Sequence, residues 1–130
     1  MGGKVICLDT SVLVEYFRKV KKQETFFAQL MAAYDYFEIT SVTAFELKFG
    51  MTPVQVDFWK DLLEVVNVLP FDNRAAEIAV AFQLELKKIN KQLAVSDLFI
   101  AASAKRHNRP LASLNYKHFE RIKGIDLVFP

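Results

Sequence analysis

Apolar and polar positions fall into short blocks that change period along the chain. Lys4 to Leu8 is nearly continuous in apolar character, as expected of a strand covered on both faces. Thr10 or Ser11 is placed to cap a helix running to about Lys19. Phe26, Phe27, Leu30, Met31 and Tyr34 repeat at helical spacing, and Phe37 to Thr40 reads as a short strand. Thr43-Ala-Phe-Glu46 is expected to open a third helix, closed by Gly50. Thr52-Pro53, with Gln55 in the place of a capping-box acceptor, starts a fourth, whose buried stripe is Phe58, Trp59, Leu62, Leu63 and Val66. Val65 to Leu69 approaches a strand. Asp72 then caps the longest helix, in which Ala75, Ala79, Phe82, Leu86 and Ile89 recur every three or four residues.

Ser96-Asp97 opens one more helix, and its Leu98, Ile100, Ala101, Ala102 and Ala104 are mostly small, which suits a central position close to neighbours. Leu111 to Leu114 is a strand, Asn115 to Glu120 a helical turn, and Ile125 to Phe129 a final edge strand. Strands alternating with helices imply an α/β fold with a parallel sheet wrapped on both faces. No repeat or linker divides residues 1–130, and a chain of 130 residues fits one domain.

Composition narrows this picture. Hydrophobic residues make up 52% and charged residues 25%, which suits a folded domain and excludes a disordered one. Cys7 is the only cysteine, so an intrachain disulfide is impossible and a reducing cytoplasm is expected. Little chain precedes the first strand, so no signal peptide is expected, and no apolar run approaches the roughly 18 residues of a membrane span. The net charge of +2 says little, but Lys105, Arg106, Arg109, Lys117, Arg121 and Lys123 crowd the last part of the chain, with His107 and His118 among them. That stretch is either a solvated face or an attraction for phosphates.

In doubly wrapped parallel sheets ligands bind beyond the carboxyl ends of the strands. Asp9 ends the first strand there and Asn115 the fourth, with Ser113 close by, while Glu46 and Asp97 lie near helix starts. Singly, each has an ordinary structural role: Asp9 and Asn115 as N-caps, Glu46 in a capping box with Thr43, Asp97 at the positive end of a helix dipole. Jointly they place three carboxylates in one crevice, where mutual repulsion calls for a cation. Oxygen ligands without a Cys or His cluster point to Mg2+ or Mn2+ and to phosphodiester hydrolysis by a metal-activated water. Other chemistries fit less well: no Gly-rich phosphate loop is present, His107 and His118 lack zinc-ligand spacing, and a phosphoaspartyl enzyme of the haloacid-dehalogenase type needs a second Asp where Ser11 stands.

The stretches LDTSVLVEYF, SVTAFELKFG, LPFDNRAAEIA and SDLFIAASAKRHNRPLASLNYKHFERIKGIDL, in that order, resemble the PIN-domain ribonucleases, and most closely the VapC-type toxins of toxin–antitoxin pairs. The resemblance covers nearly the whole chain. It implies a PIN-like three-layer α/β/α sandwich around a parallel, about five-stranded sheet. It implies an Mg2+- or Mn2+-dependent endoribonuclease with Asp9, Glu46 and Asp97 as metal ligands, Asn115 at a fourth catalytic position, and Thr10 and Ser113 lining the site. It also implies an RNA substrate, a homodimer and a small cognate antitoxin. Lys105, Arg106 and Lys117 are the candidates for holding the RNA backbone. The neutral Asn115 stands where many members carry Asp, so a second metal is in question. Two alternatives remain: a PIN-fold module that only binds RNA or protein, and a PIN nuclease of RNA processing.

Overall fold

The computed structural model describes residues 2–130. Its β1 (Val5–Leu8) leads through α1 (Thr10–Arg18), a short 3-10 turn (Lys22–Glu24) and α2 (Phe26–Ala33) to β2 (Tyr36–Thr40). Then come α3 (Ser41–Gly50), α4 (Val56–Val65), β3 (Asn67–Leu69), α5 (Asn73–Lys88) and α6 (Val95–Arg106). The chain closes with β4 (Leu111–Ala112), α7 (Tyr116–Phe119) and β5 (Leu127–Val128). All neighbouring strands are parallel, in the order β3-β2-β1-β4-β5.

The continuous apolar run of β1 is explained by its central place in the sheet. Ile6 and Leu8 enter a core with Val12, Leu13, Phe27, Leu30 and Trp59 on the α1–α4 side. Cys7, between them, enters a second core with Leu86, Leu98, Ala101 and Phe119 on the α5–α7 side. Successive strand residues point to opposite faces, so one four-residue strand anchors both layers. This is the three-layer α/β/α sandwich that the sequence implies. Burial pushes the Cys7 thiol well above its ordinary pKa, with the negative charges of Glu38 and Asp9 adding to the effect. It is a small core residue rather than a reactive one.

Several boundaries differ from the sequence expectation. The Thr40 hydroxyl accepts the Thr43 N–H (3.2 Å), so α3 starts at Ser41 rather than Thr43. Glu46 therefore sits in the second turn, and the expected capping box does not form. Gly50 is the last helical residue instead of a left-handed terminator; among described glycines only Gly124 has positive φ. Thr52 and Pro53 belong to a turn before α4, although Gln55 Oε1 does accept the Thr52 N–H (2.8 Å). Asp72 caps α5 as expected, through the Ala75 N–H (2.9 Å). Asn90 and Asn108, both at φ 55°, turn the chain out of α5 and α6. β4 and β5 are shorter than their apolar runs.

Register brings the functional edge together. Leu8 of β1 lies beside Ala112 of β4, and Ala112 beside Val128 of β5. Asp9 and Ser113 thus emerge level from adjacent strands, with the Asp9 N–H bonded to the Ala112 carbonyl (2.9 Å). From β1 the chain winds through β2 and β3 to one side, then crosses by α5 and α6 to β4 on the other. The gap between β1 and β4 is the topological switch point of the sheet.

Candidate active site

Asp9 occupies this switch point and is 2% exposed. Its backbone is extended and forms the N-cap of α1, yet its carboxylate caps nothing. Instead Oδ2 accepts the hydroxyls of Ser11 (2.7 Å) and Ser113 (2.8 Å). Each serine oxygen in turn receives a backbone N–H from the loop after β4: Leu114 to Ser11 (3.1 Å) and Asn115 to Ser113 (2.9 Å). A hydroxyl has one proton, so these N–H groups leave both serine protons directed at Asp9. Such charge-assisted bonds lower the cost of a buried carboxylate. Neither Thr10 nor Ser11 caps α1; both side chains serve the crevice.

Asp97 lies in the first turn of α6, within reach of the negative charge of Asp9. Partial burial raises its carboxyl pKa, the negative charge of Asp9 raises it further, and His118 opposes both. His118 Nδ1 stands 3.4 Å from Asp97 Oδ2, tying α7 to α6. Glu46 approaches from α3, and its Oε1 accepts the Thr10 hydroxyl (2.6 Å), which also lies 3.0 Å from Thr43 Oγ1. Glu46 and Thr10 line one cleft with Val14, Leu47 and Trp59.

The expected residues are thus brought together to different degrees. Asp97 lies within reach of the negative charge of Asp9, and Ser113 holds Asp9. Glu46 belongs to the same rim but is bonded to Thr10, and Asn115 is exposed at the start of α7 with its side chain uncommitted to capping. Among the described residues, no group of three or more His, Cys, Asp or Glu side chains is gathered closely enough to hold a metal ion. The all-oxygen donors and the charge repulsion felt by Asp97 nevertheless fit a hard divalent cation at the Asp9–Asp97 pair.

Of the three basic candidates, Lys117 is exposed on α7 beside Asn115. Arg106 is engaged by Asp72, its Nε 3.0 Å from Oδ2. Lys105 lines a cleft with Pro110 and Asp126, which precede β4 and β5, so it lies towards the amino ends of those strands. Arg109, also part of the basic stretch, is bonded to the buried Glu38 of β2. Sequence reasoning missed Ser11 as an Asp9 ligand and His118 as the partner of Asp97. The signal for Ser11 was its place two residues after an acid at a helix start, where short polar side chains bond locally. For His118 no local signal exists, because its partner comes from α6.

The chain is similar to known proteins over nearly its whole length. Residues 6–125 match the family described as the PIN domain. Ribonuclease VapC1 of Methanocaldococcus jannaschii is 32% identical over 129 residues, covering 94% of this chain and 84% of that one. Among solved structures, VapBC2 of Rickettsia felis bound to a promoter DNA fragment superposes with a TM-score of 0.85 at 21% identity, covering 97% of this chain and 98% of that one. A toxin–antitoxin complex from Klebsiella pneumoniae gives a TM-score of 0.75 at 25% identity, covering 95% of each chain.

Proposed function

This chain belongs to the PIN domain family, and from that premise we propose that it is an Mg2+- or Mn2+-dependent endoribonuclease acting as the toxin of a toxin–antitoxin pair. The observation that carries the reading is that Asp97, from a distant part of the chain, lies within reach of the negative charge of Asp9 at the switch point of the sheet. The ribonuclease relative and the toxin–antitoxin complexes of like fold support it.

Asp9 and Asp97 are the residues that would hold the ion, with Glu46 and Asn115 contributing from the rim. When bound, a divalent cation lowers the pKa of a water and stabilises charge developing on the phosphate. The chain's own residues set the stage. Ser11 and Ser113 converge on one oxygen of Asp9, which leaves Oδ1 for a ligand. Thr10 orients Glu46, and His118 steadies Asp97. Lys117 is the basic residue at this edge for the RNA backbone; Arg106 is engaged by Asp72, and Lys105 takes that role only for RNA that extends towards the amino ends of β4 and β5.

The exposed Phe45 and Phe49 stack on α3 (5.6 Å between centroids) and suit a protein neighbour, in keeping with a homodimer and an antitoxin. No helix among the described residues is long and apolar enough to cross a membrane, and the proposed setting is the cytoplasm. A second reading, a PIN-fold module that binds without cutting, is favoured by the neutral Asn115 and by the absence of a gathered three-acid cluster among the described residues.

Controlled expression in a host cell, with mapping of new RNA 5′ ends, tests the proposal. Growth arrest with discrete cuts is expected, and Asp9→Asn should abolish both. Arrest without cuts would favour the binding module.

A further inference from the structure

Asp9, Ser113 and Phe129 are each the first residue beyond a strand, and β1, β4 and β5 are neighbours in register. Phe129 therefore stands about two strand spacings, ~10 Å, from Asp9 along the same sheet edge. Its ring stacks on Tyr116, with centroids 4.9 Å apart and planes inclined by 19°. Tyr116 comes directly after Asn115 and opens α7. Phe129 keeps 50% of its surface exposed, so the pair presents aromatic surface outward beside the crevice.

The surroundings decide what this surface receives. Asn115, Lys117, His118 and Glu120 around it are exposed and polar, and Lys117 is in none of the ion pairs among the described residues. An aromatic face set among polar groups and an available cation is poorly made for an apolar protein contact. It suits a nucleobase, which offers a π-face to the ring while its phosphate meets the lysine.

We propose that the Tyr116–Phe129 stack is a platform for one unpaired nucleobase next to the scissile phosphate, with Lys117 drawing the adjoining backbone. The inference rests on the nuclease reading and specifies a single-stranded region as its substrate. A duplexed base has its faces covered by its neighbours and cannot use the platform.

Single-stranded RNAs carrying 2-aminopurine at one position at a time provide the test, bound to the full chain with Asp9→Asn to prevent cutting. Stacking quenches the fluorophore at one position. Phe129→Leu, which keeps apolar bulk without a π-face, should remove the quench and weaken binding roughly 5- to 150-fold. In the otherwise native chain it should raise KM with kcat little changed, and Phe129→Trp should restore both readouts. Equal thermal unfolding of the variants shows that folding is not the cause. Binding and quenching by Phe129→Leu at the parent level overturns the platform, while continued cleavage leaves the nuclease reading intact. If Phe129→Leu disturbs only self-association or antitoxin capture, the surface belongs to a protein and the inference fails. If the native chain neither binds nor cuts RNA, the nuclease reading falls first and the platform with it.

Discussion

At the scale of single residues, the site depends on how the buried Asp9 and the half-buried Asp97 find partners. Asp9 is satisfied from within by Ser11 and Ser113, whereas the partly buried Asp97 feels the negative charge of Asp9, which His118 only partly offsets. Ser113→Ala should destabilise the fold by about 1–3 kcal/mol, because a buried carboxylate loses one of two hydroxyl donors. Denaturant unfolding measures this, and an unchanged midpoint would show that Ser113 does not support Asp9. Asp97 predicts the opposite sign. Its folded pKa is raised, so its contribution to stability is fully present below the ordinary carboxylate pKa of 3.8 and is lost as pH rises through the folded value. Without metal, Asp97→Asn should therefore raise the unfolding midpoint at neutral pH, with the gap to the parent closing on acidification. A gap that widens in acid would contradict the assignment.

At the scale of elements, the helices were legible wherever apolar periodicity ran over two turns. The stripe of α5 lies where its pattern puts it from Ala75 to Leu86, while Ile89 falls at the C-cap and is exposed; on the small-residue face of α6, Ala101, Ala102 and Ala104 are fully or nearly fully buried. Ala101→Leu should cost about 1–3 kcal/mol by overpacking α6 against its neighbours. Helix starts were less legible, because Thr40, Ser41 and Thr43 offer competing caps in one short stretch. Thr40 prevails since β2 ends at it and its hydroxyl reaches the Thr43 N–H. Thr40→Ala should cost about 1 kcal/mol, and no such loss would place the cap elsewhere. The shift has a consequence for the site: Glu46, in the second turn of α3, projects to Thr10 instead of back to its own helix end. Strand ends were least legible, because β4 and β5 pair over only two residues each and the apolar residues beyond them pack without pairing.

At the scale of the molecule, fold class and the Asp9–Asp97 meeting could be anticipated, since strand–helix alternation fixes a parallel sheet and the switch point gathers the residues just beyond its strands. Long-range pairing could not. Glu38 is a buried acid in a central strand, and it is held by Asn67 of β3 (2.9 Å) and by Arg109 after α6. Nothing near Glu38 or Arg109 in the chain announces this clamp, which fastens the α6 crossover to the sheet and removes Arg109 from any role in RNA attraction. Breaking it with Arg109→Met leaves a buried carboxylate without its cation and should destabilise by up to about 3 kcal/mol; a double variant with Glu38→Gln should recover part of the loss. Basic residues crowded in the sequence are thereby dispersed in space, with Lys117 left beside the crevice.

The central claim is that Asp9 and Asp97 hold a divalent cation for RNA hydrolysis. A Mn2+ titration of RNA cleavage after chelation, run on the parent, Asp9→Asn and Asp97→Asn, tests it most directly. Cleavage by the parent should vanish with chelator and return saturably with Mn2+, while both variants stay folded and inactive at every concentration. Cleavage that survives chelation, or an Asp9→Asn chain that cuts like the parent, would contradict the account.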